Sequence, residues 1–266
     1  MLTKHDIHHI LDKVEKTLSQ EAPMLLDFAG TLEIGATVAL LLVGVASTAL
    51  TRLEHRLAFA GIAGAWAALV AAIAANGGLS VIAILVALFV LPFLTVLIMS
   101  TALPAFRSAI LRIPVPLIIG LNIPRVLGVM FLFLVVAGRL GGPFPFFAGI
   151  GDIITGLFAL QVARLAASKS ANHPRVLLWN AFGTLDLIVA VAFGVTSQPG
   201  SPLQLIHSGA GSAAITTVPW ALIPAFLVPF YLIGHGIVFV QARRQAVNES
   251  HGIDAAPHPA TVLSTV

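Results

Sequence analysis

Four side chains able to hold or move charge sit inside long apolar runs: Arg125, Asp152, Asp186 and His235. Arg125 offers a donor-only guanidinium, and the two aspartates offer carboxylates that pair with it or carry a proton. His235 adds an imidazole, and Asn122 and Asn180 add neutral amides at a similar depth. An ion near the centre of a bilayer costs roughly 2.5–3.5 kcal/mol even on lenient insertion scales. Such groups are expected to turn inward and find one another. The simplest arrangement is an Arg125–Asp186 ion pair, with Asp152 to one side and His235, Asn122 and Asn180 to the other. Arg125 is then expected to lock Asp186, leaving Asp152 as the carboxylate free to change protonation.

The elements that must carry these residues follow from composition. The chain has 266 residues, 58% hydrophobic and only 9% charged, where a soluble domain carries about 25% charged residues. Lipid is therefore the expected solvent and the bilayer the first partner. Apolar segments at 32–50, 57–75, 79–103, 115–138, 146–167, 176–196 and 218–241 are each long enough, or nearly so, to cross a core of about 30 Å. The expected fold class is all-α, a polytopic membrane bundle of seven transmembrane helices. Three regions are expected: a polar amphipathic segment over 1–30, the bundle over 31–242, and a disordered cytoplasmic tail over 243–266. In the first, Ile7, Ile10, Leu11, Val14 and Leu18 recur at helical spacing.

Orientation is read from basic residues. Arg52, Arg56, Arg107, Arg112, Arg164, Lys169, Arg175, Arg243 and Arg244 fall at one end of the spans, and only Arg139 lies in the opposing connections. The richer end is expected to be cytoplasmic, which puts the N-terminus outside and the C-terminus inside. Lys4, Lys13 and Lys16 dissent. No cationic start with an apolar core and cleavage site opens the chain, so a cleaved signal peptide is not expected.

Irregular backbone is expected around the charged residues. Pro124 precedes Arg125, and Pro224 and Pro229 interrupt the last span, each freeing a carbonyl one turn earlier. Gly149, Gly151 and Gly156 surround Asp152, and Gly183 lies one turn from Asp186. These small residues suit close helix approach. The uncharged connection 197–217 reads as an interfacial loop, with a cover over the bundle as the alternative. Trp179, Trp220 and Tyr231 read as belt or core aromatics.

Other chemistries lack their residues. With no cysteine, disulfides and thiolate metal sites are excluded. No span contains the lysine a retinal Schiff base needs, and His235 is the one intramembrane histidine, so paired axial ligation of haem is not expected. No H-E-x-x-H run is present. His5, His8, His9 and Asp12 share i,i+4 spacings, but no second element closes a metal shell around them. The Asn248–Ser250 sequon lies in the expected cytoplasmic tail and is discounted. No metal, cofactor or nucleic acid is expected.

The stretches 122–128, 147–156, 179–187 and 224–235, carrying Asn122, Arg125, Asp152, Asn180, Asp186 and His235, resemble a family of uncharacterised bacterial multi-pass membrane proteins. The resemblance covers roughly 80–240. It implies an inner-membrane location and a shared polar core, and it implies no activity. Two functions stay open: a small-solute or proton-coupled transporter using that core, and a non-transporting assembly or sensor protein in which the core is structural. An enzyme or haem carrier within the membrane is a third, lesser reading.

Overall fold

The structure is a computed structural model that describes residues 4–254, with side chains described over 21–48 and 50–249. It is helical throughout, and no strand occurs among the described residues. Among them, seven helical stretches are long and apolar enough to cross a membrane: Glu21–Thr48, Leu53–Ala75, Ile82–Ala102, Val115–Val136, Phe144–Ser168, Pro174–Thr196 and Ile223–Glu249. The protein is an integral membrane helix bundle.

The first crossing belongs to α1 (Lys4–Ala49), and it begins earlier than the expected 32. Asp27 lies within this earlier start and is partnered inside the bundle. Asp27 accepts hydrogen bonds from Arg139 Nη1 at 2.6 Å and Trp220 Nε1 at 2.7 Å. Meanwhile Met24, Leu25, Phe28 and Leu32 stay exposed on the outer face of the helix, where lipid solvates them. The expected amphipathic face of 4–20 and the His5/His8/His9/Asp12 set lie outside the described side chains.

The second crossing, α2 (Leu53–Ala75), ends at Asn76, whose side-chain amide donates to the Ala72 carbonyl at 2.8 Å. Gly77 then takes φ +72°, the left-handed turn that glycine permits at a helix end. A 3-10 turn, Gly78–Ser80, leads into α3 (Ile82–Ala102). Short α4 (Pro104–Ile110) runs at the basic end. In the most apolar stretch of α2 and of α3 only 11% of residues are buried, against 50% in the last crossing. The bundle therefore has an inner set of helices and a lipid-washed outer pair.

The fourth crossing is broken. It is built from α5 (Val115–Gly120), a 3-10 stretch Ile123–Gly128 and α6 (Val129–Val136). Pro124 has no amide proton to give the carbonyl four residues back, and the chain runs on as a 3-10 helix there. The Asn122 side chain closes the end of α5 by donating to the Ile118 carbonyl at 2.9 Å. The central pair, α7 (Phe144–Ser168) and α8 (Pro174–Thr196), pack on one another, and α7 also packs along the broken stretch.

The connection 197–217 is folded onto the bundle. Ser197, Gln198, Ser212, Ala214, Ile215 and Thr216 are buried. Ser212 Oγ donates to the Gly194 carbonyl at 2.6 Å, and Gly141 N donates to the Gly211 carbonyl at 2.8 Å. Of the two readings of this loop, the cover is the one formed.

The last crossing starts as a π-helical stretch, Ile223–Leu227, and continues as α9 (Val228–Asp254). Pro229 cannot bond the carbonyl four residues back, that of Ala225. Trp66 Nε1 from α2 donates to that carbonyl instead, at 3.1 Å. The helix runs on past Arg243, where the tail is expected to begin, and the segment 255–266 lies outside the described residues.

Candidate functional site

Arg125 is the hub. It sits on the 3-10 stretch at the middle of the fourth crossing and is 4% exposed. The break at Pro124 turns the guanidinium toward α7, α8 and α9 together. Nε donates to Asp152 Oδ1 at 2.6 Å, and Nη2 donates to Asp186 Oδ2. Nη1 donates to Asn122 Oδ1 at 3.3 Å and lies 3.3 Å from His235 Nε2. Because a guanidinium only donates, this contact assigns the acceptor role to Nε2. His235 Nδ1 then donates to Asn180 Oδ1 at 2.9 Å, and Asn180 Nδ2 returns a bond to the His235 carbonyl at 3.2 Å. The Trp179 ring lies 5.3 Å from that of His235, with its Nε1 on the Thr155 carbonyl at 3.1 Å.

Asp152, Asp186, Asn122 and His235 thus meet around the Arg125 guanidinium, and Asn180 joins them through His235. The Arg125–Asp186 pair forms as expected, but the layering above and below it does not. Asp152 is a direct partner of Arg125, and His235 and Asn122 share its third nitrogen. The planar fork of arginine explains the difference, since it presents donors in several directions at once. Arg125 holds Asp152 as well as Asp186, each through one oxygen, so Asp152 is not the expected unpaired carboxylate. Its side chain is the more open of the two, 17% exposed against 6%.

Glycines make the room. A Cβ on Gly183 would come within 2.7 Å of His235 Cε1, and one on Gly128 within 2.6 Å of Asp152 Cβ. At Gly151 it would strike the Asp186 carboxylate itself. Each glycine lies where a charged or polar side chain from the neighbouring crossing must pass.

Several participants carried no signal in the sequence reading. Glu33, on α1, lines a cavity of about 40 Å³ together with Arg125, Asp152, Trp220 and Tyr231. Its Oε2 is buried with no hydrogen-bond partner, and Thr155 Oγ1 on α7 shares that condition. The Tyr231 ring packs beneath Arg125, its centroid 5.5 Å from Cζ, within reach of a cation–π contact. Trp220 closes the same cavity and ties it to Asp27 and Arg139. Glu33 could have been found only by asking which acid in the first crossing escapes a basic partner. Among the described residues no group of three or more His, Cys, Asp or Glu is arranged to hold a metal ion.

A second cavity, of about 80 Å³, adjoins the first. Phe131, Asp152, Leu187, Ile223 and Val228 line both. The two differ in character, one edged by Glu33, Thr37, Arg125 and Tyr231, the other almost wholly apolar.

A family model described as Domain of unknown function (DUF8737) matches residues 81–243, more than half of the chain, and the chain belongs to that family. No curated protein and no solved structure matches it.

Proposed function

We propose that this member of the family is a small-solute or proton-coupled transporter, with the cluster at Arg125 as its binding centre. One observation carries the reading: among the described residues, carboxylates outnumber cations around a cavity at the mid-length of the fourth crossing. Two aspartates face one guanidinium, and Glu33 brings a third carboxylate with an unpartnered oxygen to the same space. A buried structural ion pair needs one acid per base and no cavity. An excess of acceptors beside open space suits a site that takes up a proton or a cation. Arg125 would hold the carboxylates in place and keep the site from carrying several uncompensated negative charges.

The expected setting is a bacterial inner membrane, N-terminus outside and C-terminus inside, with the solute or proton as partner besides lipid. The alternative is a non-transporting assembly or sensor protein whose Arg/Asp core is structural. The engagement of all three Arg125 nitrogens favours it.

The test is flux. Purified protein in sealed vesicles carrying an internal pH dye should pass protons when a pH gradient is imposed, alone or with a candidate solute. Asp152→Asn should abolish that flux while keeping the elution volume and helical signal of the parent. Equal flux in the variant, or none above protein-free vesicles for any ion or solute tried, would establish the structural alternative.

A further inference from the structure

The second cavity says more than the first about what would bind. Its lining comes from α3, α6, α7, α8, the loop at Ile215 and the start of the last crossing, and Asp152 is its one polar side chain. Phe89, Phe131 and Phe144 supply aromatic walls, the last two edge to face at 5.7 Å. Arg125 holds Asp152 through Oδ1, and among the described residues no group donates to Oδ2. Four of the five Arg125 N–H donors are directed at Asp152, Asp186, Asn122 and His235, so an anionic head would meet a guanidinium already engaged and two carboxylates beside it. A cationic head would meet the free oxygen of Asp152, with Glu33 across the adjoining cavity.

The cavity also has a side toward lipid. α3 packs against the last crossing, and faces α8 across this space. Val86 on α3 is exposed, and Val191 and Val195 on α8 are half-buried at the rim. A water occupies about 10–15 Å³ in the same measure, so 80 Å³ accommodates a body of roughly five to eight heavy atoms.

We infer that Asp152 and the apolar cavity between α3 and α8 form a bipartite site for a small hydrophobic ammonium ion, whose apolar body fills the cavity and whose cationic head sits on Asp152. This rests on the transporter reading and names the class of solute. Burial of the body is driven by the apolar lining. Selection for the ammonium comes from a charge-assisted hydrogen bond in a place where water does not compete.

The experiment is calorimetric titration of the full chain in lipid nanodiscs with 2-phenylethylammonium, its neutral analogue 2-phenylethanol and anionic 3-phenylpropionate. The ammonium should bind at least about tenfold more tightly than the alcohol, and the propionate should not bind. Asp152→Asn should bring the ammonium down to the alcohol. Ala190→Trp, which fills the cavity from α8, should weaken both. Should Asp152→Asn fail to fold, the Ala190→Trp comparison decides alone. Equal affinities for ammonium and alcohol would overturn the inference, as would binding unaffected by Ala190→Trp. Absence of binding by either probe, as when an acyl chain occupies the space, also overturns it. Proton flux in vesicles without ammonium preference here defeats the solute class and leaves transport standing. Ammonium binding without any flux leaves the site and defeats transport.

Discussion

Arg125 donates to side chains from its own broken crossing and from α7 and α8, and it approaches His235 on α9. Removing it strands two carboxylates at once. Arg125→Ala should therefore cost about 3–5 kcal/mol, the usual range when one partner of a buried ion pair is lost. The double change Arg125→Ala with Asp186→Ala should recover part of that, read as melting temperature in detergent, and simple additivity would count against a direct pair. Gly183→Ala drives a methyl toward His235 Cε1 at 2.7 Å and should lower stability by about 1–3 kcal/mol. Gly120→Ala, with nothing within 4 Å of the added carbon, is the control and should be close to neutral. At this scale the sequence was informative about Arg125, Asp152, Asp186 and His235, because a charged or polar group deep in an apolar run is costly to leave facing lipid. It was silent on how they share partners. One guanidinium serving Asp152, Asp186, Asn122 and His235 is a fact of helix rotation, and no spacing within a single crossing encodes it.

The elements follow the same pattern of clear existence and hidden contacts. Hydropathy located all seven crossings, and Pro124, Pro224 and Pro229 marked where helices would be irregular. What the prolines did not disclose is who takes the freed carbonyls. At Pro229 the answer comes from α2, where Trp66 Nε1 reaches the Ala225 carbonyl. Trp66→Phe should cost about 1–3 kcal/mol, the penalty for a buried acceptor left without a donor. Pro229→Ala in that background returns an amide proton to the same carbonyl and should restore much of the loss. Thermal melts of the two single variants and the double variant decide it. If the proline change instead adds its own full loss in the Trp66→Phe background, the carbonyl is not what Trp66 serves. Asp27 and Glu33 were unreadable for a related reason. With the first crossing expected at 32–50, both acids look like its polar flank until the partners of Asp27, Arg139 and Trp220, and the unpartnered oxygen of Glu33 are seen.

Over the whole molecule, the family match begins at residue 81, so α1 and α2 lie outside it. Yet they supply Glu33 to the charged cavity, Asp27 to Arg139 and Trp66 to the last crossing. α1 and α2 are thus part of the site's construction. The absence of cysteine makes the expected topology directly testable. Single cysteines at Ser108 and Ser170 should react with an impermeant maleimide only from the cytoplasmic side of intact cells or oriented vesicles. Cysteines at Gly138 and Ser201 should react only from the other side. The reverse pattern would invert the orientation, and mixed labelling would break the seven-crossing count.

The break in the fourth crossing also has an electrical consequence. Arg125 and its partners sit near the midpoint of Val115–Val136, so a charge arriving at Asp152 has traversed about half of the membrane field. Moving one elementary charge through the full potential is worth about 2.3 kcal/mol per 100 mV, so half of it is worth about 1.2 kcal/mol. The affinity of the site for a cation would then change roughly sevenfold for each 100 mV imposed, with the sign fixed by the side from which the ion comes. The resting voltage of the membrane would itself load or empty the centre, and a site at either surface would be indifferent to it.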